Sequence, residues 1–181
     1  MNAQERKKIT GGLSKPSKMP GYAYNLPAIH CKTGSKLAQV PGTTCHGCYA
    51  LKGRYRFPNV MDAMMRRLRS ITRPDWARTM AADINARRSR WFRWHDSGDI
   101  QSVKHLLKIF QVCRMTPDVA HWLPTREAGL LAPDFHGRYN WPKLPSSGPG
   151  ERLPRLPGLL GSICKERCLW QTLTGLIGTA F

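Results

Sequence analysis

Apolar positions recur every three to four residues along two consecutive stretches of the chain. Val60, Met64, Leu68 and Ile71 fall on one face of a predicted helix over 60–71, with Asn59 placed to cap it and Asp62 at its third position. Pro74 opens a second predicted helix, in which Trp76, Met80 and Ile84 keep the same spacing. A third follows Ser102, a good cap, and turns Val103, Leu106, Phe110 and Cys113 inward. Between them lie apolar runs too short for helices. Tyr22 to Ile29 reads as a strand limited by Pro27 to an edge or an end. Trp91 to Trp94 reads as a second, and Val119 to Leu123, stopped by Pro124, as a third. Strand, helix, helix, strand, helix, strand predicts an α/β fold with parallel pairing. Ligands of such folds gather beyond the carboxyl ends of the strands. That rule singles out His95-Asp96-Ser97-Gly98-Asp99 and Thr125-Arg126-Glu127.

Character changes near Leu131. Residues 132–181 hold six prolines and seven glycines, as in GPGERLPRLPGLLG, and read as an irregular tail. Out-of-frame translation of a GC-rich gene would read the same way, and nucleotide sequence past codon 131 separates the two. Residues 1–21 are basic, glycine-rich and expected to be flexible, leaving 22–131 as the ordered α/β domain. The chain carries 29 Lys+Arg against 11 Asp+Glu, a net charge of +18. Of that, +15 falls on residues 1–131, with 23 basic and 8 acidic residues, and +3 on the rest.

With 41% hydrophobic and 9% aromatic residues the chain is unlike a disordered basic tail. It holds no run of about 18 apolar residues, so no membrane span is expected. The opening MNAQERKKITGG lacks an apolar leader core, so a cytoplasmic protein is expected. Its cysteines are then better read as ligands or free thiols than as bridges.

Cys31, Cys45 and Cys48 form the chemically loudest pattern, with thirteen residues and then two between them. Cys45-His46-Gly47-Cys48 places two thiols on a turn where both can reach one metal or cluster. Structural zinc takes four protein ligands, and His95, Cys113 or a histidine inside the motif could supply the fourth. A four-iron cluster on three cysteines leaves one iron open to an exogenous ligand. No His-x-Glu precedes a Pro-Cys-x-x-Cys, which argues against a zinc deaminase. Cys164 and Cys168 read as incidental, and Cys113 as core.

Two further sets are candidates. Among the strand-end groups, His95, Asp96 and Asp99 suit acid–base or metal chemistry. Arg126 and Glu127 are either site residues or a plain ion pair. Twelve basic residues against three acidic ones lie between Lys52 and Arg93. They group as Arg54 and Arg56, Arg66, Arg67 and Arg69, then Arg87, Arg88 and Arg90, with Tyr55, Phe57 and Trp91 interleaved. That mixture suits phosphate contact and base stacking, hence nucleic acid or another polyanion. No helix-turn-helix or zinc-finger pattern points to sequence-specific DNA reading.

GGLSKPSKMPGYAYNLPA, CKTGSKLAQVPGTTCHGCYALKGRYRFPNV, FRWHDSGDIQSVKHLLKI and HWLPTRE, in that order, resemble the phage gene product eighty-eight family over roughly Gly11 to Leu130. Residues 132–181 do not resemble its C-terminal continuation. More loosely, Cys48-Tyr49-Ala50 is similar to the cluster loop of some radical S-adenosylmethionine enzymes. Those enzymes usually place three residues between their first two cysteines. That likeness implies a partial parallel β/α-barrel-like unit, with Cys31, Cys45 and Cys48 on a 4Fe-4S cluster. S-adenosylmethionine would then lie against Tyr49, Ser97, Gly98, Arg126 and Glu127, and the substrate would be nucleic acid or a nucleotide. The alternative is a non-catalytic basic nucleic-acid-binding protein with a structural zinc or iron–sulfur site.

Overall fold

A computed structural model describes residues 1–131, so the tail with Cys164 and Cys168 lies outside the described residues. Three parallel strands, β1 (Tyr22–Tyr24), β2 (Trp91–Trp94) and β3 (Ala120–Trp122), pair in the order β1-β2-β3. The register sets Tyr22 opposite Phe92, Tyr24 opposite Trp94, and Phe92 opposite His121. These residues therefore share one face, because side chains alternate along a strand. Helices α3 (Pro58–Ser70) and α4 (Trp76–Ala86) connect β1 to β2, and α5 (Val103–Met115) connects β2 to β3. The fold is α/β with parallel pairing, as the pattern predicts. The described strands form an open three-stranded sheet, not a closed barrel.

The core lies between that sheet face and α4 and α5. Trp76, Trp94 and Tyr24 are fully buried, with edge contacts of Tyr24 to Trp76 and Trp94 at 5.6 and 6.3 Å. Met80, Ile84, Leu106, Ile109 and Val112 fill the space between the helices. Each large ring removes about 150–250 Å² from water, so this cluster dominates the stability of the domain. The opposite face carries Trp91, Arg93 and Trp122, with both tryptophans about half exposed.

Several local details differ from the sequence reading. Residues 1–21, expected to be flexible, contain helix α1 (Ala3–Thr10), which packs on α4 and α3. Asn2 caps it and Glu5 reaches back to the Asn2 amide, a capping box that is local and readable. The strand expected over Tyr22 to Ile29 ends at Tyr24, because Pro27 and a 3-10 turn over Ala28–His30 divert the chain. Helix α3 starts one residue before its expected cap, with Pro58 in its first turn and Phe57 preceding it. Ser102 caps α5 as expected, accepting from the His105 amide at 3.1 Å.

Candidate functional site

All three strands release their chains at one edge of the sheet, so the loops 25–31, 95–99 and 123–127 lie side by side. The 95–99 loop locks onto the end of β1. His95 adopts φ +60°, rare for a residue with a side chain, and the Tyr24 carbonyl holds it there. That carbonyl accepts from the His95 amide at 3.1 Å and lies 2.9 Å from Nδ1. Nδ1 therefore carries the ring proton, and Nε2 is left buried without a partner. Burial pushes the His95 pKa down to about 4, so the ring is neutral and sealed from solvent. Ser97, expected at a cofactor, donates to the Leu26 carbonyl at 2.8 Å. Gly98 turns at φ +80° so close to Leu26 that a Cβ would sit 2.6 Å from its side chain.

Asp99 joins the second loop to the third. Its Oδ1 accepts from the Ile100 amide at 2.7 Å and the Thr125 hydroxyl at 2.6 Å, and its Oδ2 from the Arg126 amide at 2.8 Å. Burial pushes its pKa up against those bonds. Arg126 and Glu127 do not pair with each other; each reaches into the cysteine segment. Glu127 accepts from the Lys32 amide at 3.2 Å and from the Thr33 amide and hydroxyl, both at 2.8 Å. It thereby caps helix α2 (Lys32–Leu37), whose own cap position, Cys31, supplies no side-chain bond. The Arg126 guanidinium donates to the Thr44 hydroxyl, beside Cys45. Tyr49, next to Cys48, donates its hydroxyl to the Asp96 carbonyl.

The three cysteines are thus each followed or preceded by a residue bonded to the strand-end frame. All three are partly buried free thiols. A Cβ on Gly34 would lie 3.1 Å from Cys31 Cβ, 3.6 Å from Cys45 Sγ and 3.7 Å from Cys31 Sγ, so the two sulfurs border one small space that glycine leaves open. Burial, then the charges of Asp99 and Cys48, push the Cys31 thiol up to about 12. Burial also raises Cys45, against the pull of Arg126. Among the described residues no three Cys, His, Asp or Glu side chains stand close enough together to form a ready metal site. Of the suggested fourth ligands, His95 and Cys113 lie in the buried core, whereas His46 of the motif is exposed, with Nδ1 3.3 Å from the Ala38 carbonyl. The two thiols bordering Gly34, Cys31 and Cys45, are soft donors of the type that zinc and iron–sulfur clusters take.

Asp96 differs from Asp99 and Glu127. Its Oδ2 accepts from the Tyr55 hydroxyl at 3.1 Å, while Oδ1 is buried with no partner. Burial pushes its pKa up. Nearby Arg93 also holds an unpartnered buried Nε, and its guanidinium stacks 4.3 Å over the Trp122 ring. Sequence reading missed Arg93, Trp122, Thr33, Thr44 and the bond from Tyr55. Only adjacency to Cys31 and Cys45 could have flagged the threonines.

The basic residues do not form one surface. Arg54 and Arg56 are exposed beside Tyr55, and Arg66 and Arg69 are exposed on α3. Arg87, Arg88 and Arg90 are exposed just before β2, at the sheet edge opposite the cysteines. Arg67 is not the exposed residue its neighbours in charge suggest. It is 6% exposed, donating from Nε to the Gly12 carbonyl at 2.6 Å and from Nη1 to Asn25. Helix periodicity explains this, since Arg67 shares the buried face of α3 with Met64 and Ser70.

Fold and site define an α/β protein whose strand-end loops tether a three-cysteine segment. The chain belongs to the Gene product 88 family, whose model matches residues 1–146. The match runs past Leu131, so family likeness reaches further than the expected Gly11–Leu130. It lends nothing to the radical S-adenosylmethionine similarity. No curated protein and no solved structure matches the chain. Among the described residues no helix is long and apolar enough to cross a membrane.

Proposed function

We propose that this phage-family protein binds a metal or iron–sulfur cluster through Cys31, Cys45 and Cys48, with nucleic acid or another polyanion as its partner. The observation that carries this is the three-way tether. Glu127, Arg126 and the Asp96 carbonyl each hold a residue beside one cysteine, a degree of positioning that an idle surface loop has no use for. A 4Fe-4S cluster on these thiolates would offer one open iron to an exogenous ligand such as S-adenosylmethionine. In that form Asp96 is the strand-end carboxylate with an uncommitted oxygen, since its buried Oδ1 is unpartnered whereas Asp99 and Glu127 are committed to backbone amides. It reaches a ligand when the Tyr49 and Tyr55 hydroxyls covering it move away. Asp99 and Glu127 are then positioning residues.

A second reading is a non-catalytic, basic nucleic-acid-binding protein with a zinc or iron–sulfur staple. The neutral, solvent-sealed His95 favours it, because an acid–base catalyst must reach its substrate. Anaerobic purification of the full chain with iron, sulfide and zinc analysis separates a cluster from zinc, and binding of S-adenosylmethionine to the iron form separates the open cluster from an iron–sulfur staple. Iron and sulfide lost on Cys48→Ala support the cluster, and stoichiometric zinc without visible absorption supports the staple. Absence of any bound metal defeats both. If the cluster forms, Asp96→Asn should keep the iron but weaken binding of S-adenosylmethionine at least tenfold. Unchanged binding removes Asp96 from the site.

A further inference from the structure

Helix α1 with the glycines after it, the middle of α3 and Arg87 just after α4 border a cleft of about 430 Å³. Lys7, Arg66, Arg67 and Arg87 line it together with Gly11 and Gly12, and no Asp or Glu is among its lining residues. The chain brings these cations together from three separate segments. Four positive charges around one cleft repel one another across solvent, and a bound anion relieves that repulsion. Asp83 relieves part of it from behind, pairing with Arg87 at 3.5 Å and with Arg6 at 3.2 Å. Arg67 is fixed in place by Gly12 and Asn25, which commit two of its five N–H groups. Lys7, Arg66 and Arg87 are exposed and able to close on a ligand from the rim. Gly11 permits the close approach: a Cβ there would lie 2.7 Å from the Arg67 backbone.

We propose that this cleft binds a phosphoryl group, carried either by a nucleic-acid strand or by a free phosphate compound. Lys7, Arg66 and Arg87 are its adjustable rim, and Arg67, held beneath by Gly12 and Asn25, adds a fixed positive charge. Guanidinium groups suit the site because their planar fork matches phosphate oxygens in pairs. This deepens the polyanion half of the reading above by naming a site and a ligand group. Its readouts involve no metal, so it and the cysteine reading fail separately.

The test uses the full chain and two probes, inorganic phosphate and a single-stranded oligonucleotide, against chloride at matched ionic strength. Phosphate is expected to raise the melting temperature above chloride and to bind at least tenfold more weakly to the Lys7→Ala/Arg66→Ala protein. Both side chains are exposed, so folding should survive. Lys104→Ala/Arg114→Ala, which removes equal charge from exposed positions of α5 outside the cleft, should leave phosphate affinity within twofold. If a strand supplies the phosphoryl group, the cleft variant also makes the log–log salt slope of oligonucleotide binding shallower by about 1.4. If a free compound supplies it, phosphate binding falls while the slope stays. Equal loss in both double variants, or no change in either probe with the cleft variant, overturns the proposal.

Discussion

The strand-end frame and the cysteine segment are held by different forces. Tyr24, Trp76, Trp94, Leu106 and Ile109 bury the frame almost completely. From residue 29 to residue 49 not one residue is buried, and Ile29 and Val40 are about half exposed. Hydrophobic burial stabilises the frame by several kcal/mol per large side chain, whereas each tether of the segment contributes about 1 kcal/mol net. A segment so placed opens locally long before the frame unfolds. A bound metal would therefore add its stability chiefly to this segment. The chemistry-bearing part of the molecule is thus the part with the least core.

Breaking the frame should have the largest effect. Trp94→Ala removes a fully buried ring packed 4.9 Å from Phe92 and 6.1 Å from Trp76, and should cost about 3–5 kcal/mol in denaturant unfolding. Acid attacks the same region. Burial depresses both His95 and His121 to about 4, so the unfolded chain takes up protons from pH 6.5 downward before the native chain does. Stability is full above pH 6.5 and lost as the pH falls toward 4, by about 2 kcal/mol per histidine at pH 5. A melting series from pH 7.5 to 4.5 checks this, and replacing His121 by Gln should remove about 2 kcal/mol of the loss at pH 5 and leave the His95 share.

Cutting a tether should sharpen the contrast. Glu127→Ala removes three hydrogen bonds at Lys32 and Thr33 and should destabilise the cysteine segment by about 2 kcal/mol. Hydrogen exchange should speed over residues 32–48 while β2 and α5 amides stay protected. Equal acceleration in both regions would mean that segment and frame open as one unit. Thr44→Val, which loses only the exposed bond from Arg126, should shift exchange near Cys45 by about 0.5 kcal/mol and leave global unfolding unchanged.

Much of the frame was legible because its signals are local. The Trp91–Trp94 and 119–123 runs, the spacing of Trp76, Met80 and Ile84, and Ser102 as a cap all concern residues within one or two turns. Even the missed helix α1 carries its signal in Asn2 and Glu5. The candidate site was legible as a set of residues but not as a set of roles. His95, read as suited to acid–base or metal chemistry, is buried on the Tyr24 carbonyl; Arg126 and Glu127, read as site residues or an ion pair, bond to Thr44 and Thr33 and not to each other. Arg67 looked like surface because its two neighbours in charge, Arg66 and Arg69, are surface.

The amino-acid sequence by itself determined the parallel α/β order, the placement of both polar motifs after strands, and the identity of the three thiols. Periodicity, turn residues and spacing act over a few residues, and for those the chain needs no knowledge of its fold. Tertiary structure alone decided which carboxylates are committed and which is free. It also decided that 82 residues of chain close between Thr44 and Arg126, and that Lys7 meets Arg66, Arg67 and Arg87 in one cleft. Those pairings depend on parallel strands delivering distant loops to one edge, and on helix packing choosing which face of α3 is buried. No local pattern encodes either.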